Sequence, residues 1–212
     1  MLKIIMMLQS LAAMIAALSL SFGCHTAGSF NDLAEREEKE TGDVLPLLDI
    51  EQGSVVADLG AGGGYYSVKL ARVIGEKGKV YAVDISAESV EYIKQYASNK
   101  GVSNIEVIHA EMENSKLPKN SVDMIFVRNT YHDIQNRITY FNKITDKLKT
   151  GGRIVIIDYD PAKLGFFRRL VGHYIEEKLI VSEMQQAGYS VSKRIASLKK
   201  QSCNIFAIKE SP

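Results

Sequence analysis

Cysteine is scarce in this chain. There are two, Cys24 and Cys203, too few for a disulfide framework, and neither stands in a CxxC pair or a Cys/His cluster of the kind that holds zinc. No metal is expected on that ground. An excess of charge of either sign is missing as well: 26 Lys and Arg against 25 Asp and Glu leave a net charge of +1. That balance supplies no basic face for nucleic acid. No internal repeat and no low-complexity segment is present, which excludes repeat and linker-like architectures. What remains is an ordinary globular composition, 46% apolar and 24% charged over 212 residues, enough for one domain with a full core.

The first residues stand apart from that domain. Lys3 precedes an uncharged run from Ile4 to Phe22, IIMMLQSLAAMIAALSLSF, followed by Gly23 and Cys24. A basic end, an apolar stretch and then small residues is the layout of a secretory signal. Ser21-Phe22-Gly23-Cys24 resembles a bacterial lipoprotein signal with Cys24 as the lipidated residue, although Ser21 sits where leucine is usual. The run is also just long enough to remain as an uncleaved anchor. Residues 1–24 are therefore expected to be a signal peptide, lipoprotein signal or anchor, residues 25–40 a linker and the start of a helix, and 41–212 the globular domain.

Past Cys24 the chain turns polar. Asn31 or Asp32 can cap a helix through LAEREEKETGDVLPLL, with Glu35 completing a capping box and Pro46 bending or ending the helix. Five short apolar runs follow, VVADL, KVYAVD, NIEVIH, VDMIFV and RIVIID, and each reads as a buried strand. Between them lie helical patterns: YYSVKLARVI, SAESVEYIKQYASNK and roughly IQNRITYFNKITDKLK, the last closed by Gly151-Gly152. Strand alternating with helix predicts a mostly parallel sheet covered on both faces, an α/β Rossmann-like fold. A long helical region is expected over about 163–187, and YSVSKRI with CNIFAIK then forms an antiparallel hairpin.

The stretch DLGAGGGYY places four of the chain's 16 glycines within five positions, directly after the first strand. Glycines there let backbone amides approach a ligand at the carboxyl edge of the sheet, where the following helix start favours a negative group. Asp84 ends the second strand about twenty residues on, placed for ribose hydroxyls. A dinucleotide fingerprint fails here: counted from Gly60 and Gly62 the third glycine falls on Tyr65, and counted from Gly62 and Gly64 it falls on Ser67. Asp58 would also repel a pyrophosphate. A sulfonium and ammonium ligand such as S-adenosylmethionine suits that carboxylate, while the helix start suits the ligand's own carboxylate.

DLGAGGG thus resembles the first motif of class I S-adenosylmethionine-dependent methyltransferases, and VYAVD their second. The resemblance covers roughly residues 40 to 209 and implies seven strands, the last inserted antiparallel. It implies that Asp58, Gly60, Gly62, Gly64 and Asp84 hold the donor. Within HAEMENSKLPKNSVDMIFVRNTYHDI it implies that Glu111 and Met112 border the adenine, with glutamate where the family often has aspartate. Arg128, Asn129 and Thr130 would line the floor near the methyl group.

Methyl transfer needs a base only if the acceptor must lose a proton. His132 and Asp133, after the fourth strand, are the candidates, the alternative being that Tyr131 and His132 start and cap the next helix. His109 ends the third strand as an edge residue. His173 resembles a position bordering the acceptor pocket of small-molecule methyltransferases. Lys163 to Val171, KLGFFRRLV, sits where the family builds an acceptor wall: Phe166 and Phe167 either admit a lipid-like acceptor at a membrane or pack on the sheet, with Arg168 and Arg169 solvated.

The expected partners are a small-molecule or lipid-like methyl acceptor and a membrane. The expected location is the bacterial cell envelope, or alternatively the cytoplasmic face of the inner membrane, since the donor is made in the cytosol. A non-catalytic exported binding protein on the same scaffold is the competing reading.

Overall fold

A computed structural model of the chain describes residues 26–165 and 173–209. Seven strands form one sheet: β1 (Val55–Leu59), β2 (Lys79–Asp84), β3 (Ile105–His109), β4 (Val122–Arg128), β5 (Leu148–Tyr159), β6 (Tyr189–Arg194) and β7 (Gln201–Ile208). Their order across the sheet is β3-β2-β1-β4-β5-β7-β6. The first five are parallel, while β7 runs antiparallel between β5 and β6, with Ile154 opposite Phe206.

Side chains on a strand alternate between faces, so a strand covered on both sides must be apolar at every position. In β5, Ile154 and Ile156 enter one core cluster and Val155 and Ile157 the other. Helix α4 (Arg137–Ile144) and helix α5 (Glu177–Gln186) cover the first face with Phe141, Ile144, Ile180 and Met184. Helix α2 (Tyr65–Ile74) covers the second with Leu70 and Ile74, beside Leu45 and Leu48. Helix α3 (Ala87–Asn99) starts at the Ser86 cap and packs on β2 and β3. Because every parallel crossover returns over the sheet, the loops after β1, β2, β4 and β5 gather at one edge.

Several expectations change. Helix α1 (Ala27–Thr41) begins before Asn31: Thr26 caps it, its hydroxyl accepting the Ser29 N–H at 3.3 Å. Asn31 is buried inside α1 and caps a different helix, its Oδ1 accepting the Tyr65 N–H at 3.0 Å, while Glu35 pairs with Lys39 in place of a capping box. Gly42 ends α1, and Pro46 lies in a separate 3-10 turn, Leu45–Leu47.

The helix expected before Gly151-Gly152 ends at Ile144, and β5 already runs from Leu148 through both glycines. The irregular pairing there, with the register shifting between Val122 and Met124, is what a glycine pair in a strand permits. Among the described residues of the 163–187 region, 173–176 are not helical, while Lys163 ends the turn Pro161–Lys163 and 177–186 form α5. Phe166 to Val171 lie outside the described residues, as do residues 1–24. Among the described residues no helix is long and apolar enough to cross a membrane.

Candidate functional site: a cavity at the carboxyl edge of the sheet

The loop from β1 to α2 hangs from the end of β2. Gly60 and Ala61 donate to the Val83 carbonyl at 2.8 and 3.1 Å, and Gly62 donates to Asp84 Oδ2 at 2.8 Å. Gly60 has φ +76° and lies so close to Thr130 that an added Cβ would overlap that side chain. At Gly63 the constraint is space: a Cβ would overlap the Ala27 carbonyl and Asn31, because α1 lies across the loop. Gly64, expected to touch the donor, stands outside the cavity lining and caps α2 with φ +81°.

Asp58 is 3% exposed and accepts the Ser67 hydroxyl at 2.6 Å. Burial pushes its carboxyl up to about 7; the Ser67 hydrogen bond opposes that and the neighbouring Asp84 charge adds to it. Burial also raises Asp84, against the N–H donors of Ser86 and Gly62. Both carboxylates face the same cavity.

Helix α1 is a wall of that cavity, contributing Phe30, Leu33 and Ala34. It is tied to the end of β4: Asn129 Nδ2 donates to Glu37 Oε2 at 2.9 Å, and Arg128 Nη2 lies 3.6 Å from the same oxygen. The Arg128 guanidinium sits 4.5 Å above the Tyr66 ring, and Gln201 Nε2 donates to Asn129 Oδ1 at 2.6 Å. Asn129 takes φ +52°, a left-handed backbone that asparagine adopts more readily than most residues.

After β4, Tyr131–Asp133 form a 3-10 turn, and α4 starts later, so His132 does not cap it. His132 Nδ1 lies 2.9 and 3.0 Å from the two oxygens of Asp158, whose Oδ2 also accepts the His132 backbone N–H at 3.1 Å. Asp158 is fully buried at the end of β5. With a carboxylate at Nδ1 the proton belongs there, which leaves the Nε2 lone pair facing Asp133 Oδ2 at 3.5 Å and the His173 ring, whose centroid is 5.6 Å away. Burial works against the imidazolium, but the hydrogen bond and charge of Asp158, with the charge of Asp133, outweigh it and hold His132 above its ordinary value.

One cavity of about 900 Å³ is lined by Asp58, Gly60, Gly62 and Asp84, by Glu111, Met112, Arg128, Asn129 and Thr130, and by His132, Asp133 and His173. Residues from distant segments of the sequence meet there. His109 stays outside it, its Nε2 3.1 Å from the Ile85 carbonyl. Glu111 is exposed and pairs with Lys116 at 2.9 Å.

Sequence reasoning missed three contributors. Asp158 read only as the last residue of RIVIID, yet a carboxylate closing a buried strand is the same signal that marked Asp58 and Asp84. Gly63 stood within the glycine loop, but its contact with α1, and α1 as a cavity wall, carried no local signal, because they arise from packing between distant segments.

The cavity suits a cationic ligand with a carboxylate of its own. Asp58 ionises more readily once a positive group stands beside it, and the loop amides and the start of α2 favour a negative one. Cys203, in β7, is buried outside the cavity lining, and that burial pushes its thiol up to about 12.

A methyltransferase-domain family profile matches residues 50–206. The chain is 25% identical over 132 residues to demethylmenaquinone methyltransferase of Geobacillus stearothermophilus, covering 62% of this chain and 56% of that one. It is 27% identical over 126 residues to the ubiquinone/menaquinone biosynthesis C-methyltransferase UbiE of Francisella tularensis subsp. novicida, covering 59% and 50%. The chain therefore spans about half the length of these curated relatives. A crystal structure of a SAM-dependent methyltransferase from Aquifex aeolicus superposes with TM-score 0.77 at 27% identity, covering 86% of this chain and 98% of that one. A Methanococcus maripaludis structure shares the fold, with TM-score 0.69 at 16% identity over 88% and 93%. With more than half its length matched by the family profile and its cavity built on the family's glycine loop, the chain belongs to the methyltransferase-domain family.

Proposed function

We propose that the chain is an S-adenosylmethionine-dependent methyltransferase acting on a small-molecule or lipid-like acceptor. One observation carries this: the glycine loop, Asp58, Asp84 and His132 line a single cavity, with Asp158 holding His132 from behind. A donor and an acceptor bound there lie side by side, which in-line displacement requires.

Bound S-adenosylmethionine supplies a methyl on a sulfonium whose sulfur keeps the bond's electron pair as the methyl leaves. Asp58 balances the donor's positive charge, Asp84 takes its ribose hydroxyls, and Met112 and Glu111 flank its adenine. Arg128 and Asn129, held by Glu37 and Gln201, shape the floor. His132 Nε2 takes the acceptor's proton where one must leave, and Asp158 orients the ring for it. Asp133, beside Nε2, stabilises the imidazolium so formed.

The curated relatives are named for demethylmenaquinone and for ubiquinone and menaquinone biosynthesis, which supports a quinone-class ring as the acceptor here. Membrane association through residues 1–24 belongs to the same reading, because an apolar acceptor resides in the bilayer.

The test is calorimetric titration of the full chain in detergent with S-adenosylmethionine, S-adenosylhomocysteine and NAD, followed by turnover on quinol acceptors. Binding of the first two without NAD, and methylated product, are expected. Donor binding without turnover on any acceptor would favour a non-catalytic binding protein on this scaffold, and no donor binding would overturn the proposal.

A further inference from the structure

The acceptor side of the cavity holds a second constellation. His132, Asp133 and His173 each present one ligand-type atom, and all three atoms lie within 4.8 Å of one another. The Nε2 to Oδ2 separation of His132 and Asp133 is 3.5 Å, close to the edge of about 3.4 Å that a tetrahedral ion with bonds of about 2.1 Å would span. Asp133 and His173 are exposed, so their side chains can rotate to close the remaining gap.

We infer that His132, Asp133 and His173 form a binding site for one divalent transition cation. Three features of the surroundings support it. First, Asp158 occupies Nδ1 of His132 and turns the Nε2 lone pair outward, the carboxylate–histidine arrangement that orients imidazole toward a metal. Second, both segments are anchored: the Asp133 N–H bonds the Thr130 carbonyl at 3.0 Å, and Ile175, two residues after His173, bonds the Tyr159 carbonyl at 2.9 Å. Third, the neighbouring cation Arg137 is neutralised by Glu183, at 2.7 and 2.9 Å, which leaves Asp133 and Asp158 to set the local field.

Two imidazoles and one carboxylate suit zinc, iron(II) or nickel better than magnesium or calcium. Three protein ligands also leave a coordination position open, as in catalytic sites rather than closed structural ones. That position borders the cavity. Resting on the methyltransferase reading, it would take an oxygen or sulfur of the acceptor as its anion, the acceptor's proton passing to solvent because Nε2 is then engaged by the cation. The metal and the proton compete for one atom, so His132 serves as ligand or base but not both at once.

The expectation of no metal rested on the lack of a local ligand motif. The ligands here come from two segments about forty residues apart, joined only because the loops after β4 and β5 meet at the same edge.

The experiment uses the full chain, stripped with chelator and titrated with zinc alone by calorimetry, with cobalt(II) absorption as a second probe. One equivalent of zinc is expected, with a cobalt spectrum of nitrogen and oxygen ligation. D133N combined with H173A, both at exposed positions, should lose that equivalent while keeping the circular dichroism spectrum and the affinity for S-adenosylmethionine. D158N should weaken zinc by about 10–100-fold. Absence of a stoichiometric equivalent, or equal binding by the D133N/H173A variant, would overturn the inference. Zinc binding by a chain that does not bind S-adenosylmethionine would uphold the cation site and remove the methyltransferase reading instead.

Discussion

Glu37 of α1 and Asn129 at the end of β4, 92 residues apart, are joined by a hydrogen bond of 2.9 Å from Asn129 Nδ2 to Glu37 Oε2. With Arg128 Nη2 at 3.6 Å from the same oxygen, this carboxylate fastens α1 over the cavity floor. Removing it leaves the Arg128 guanidinium buried without its counter-charge. Glu37→Leu is expected to cost about 3–5 kcal/mol of stability, measured by urea unfolding, while Glu37→Gln keeps the hydrogen bond and loses less.

Gly63 tests the packing of α1 without touching any charge. A methyl group there overlaps the Ala27 carbonyl and Asn31, and Asn31 in turn caps α2. Gly63→Ala should shift α1 away and weaken S-adenosylmethionine binding by roughly tenfold, the scale of one charge-assisted hydrogen bond. Unchanged donor affinity would mean that α1 is not part of the donor site.

Asp58 makes donor binding depend on pH. Its carboxyl, ordinarily at 3.8, is pushed up to about 7 by burial, so the folded chain holds this proton more tightly than the unfolded one. The sign follows: this group's contribution to stability is full below its ordinary value and is lost as pH rises through about 7. A cationic donor needs the ionised form, so its affinity should rise about tenfold per pH unit up to neutrality and then level off. Calorimetry across that interval checks it, and Asp58→Asn should flatten the profile while weakening binding.

His132 and Asp158 should separate donor binding from turnover. With an acceptor that must lose a proton, His132→Ala is expected to lower kcat by about 10²–10⁴-fold, leaving the dissociation constant for S-adenosylmethionine unchanged. Asp158→Asn should lower kcat by a smaller factor, since Nε2 survives but its orientation does not. Full turnover in His132→Ala would exclude the histidine as base.

The parallel order of the sheet was legible because its strands are buried on both faces. Val56, Ala57, Ile125 and Phe126 are apolar whichever way they point, which is a local property of the chain. Helices α2 and α3 were legible for a similar reason: Gly64 precedes one and Ser86 caps the other. The glycine loop, with Asp58 and Asp84 at strand ends, was readable from spacing alone.

Asn31 shows where that reasoning stops. Asparagine favours helix caps, and Asn31 is one, but the helix it caps is α2, reached across space, while Thr26 serves α1. The Gly151-Gly152 pair misled in another way, standing inside β5 where glycines commonly follow a helix.

The sequence by itself determined the class of fold and the place of the glycine loop, with Asp58 and Asp84 at strand ends, because each depends on hydrophobic alternation, strand ends and turn chemistry within a few positions. Only the tertiary structure decided that α1 walls the cavity, that Asp158 stands behind His132, and that His173 joins Asp133 there. These are pairings between segments that each look unremarkable alone, and they exist because the crossovers of a parallel sheet return its loops to one edge.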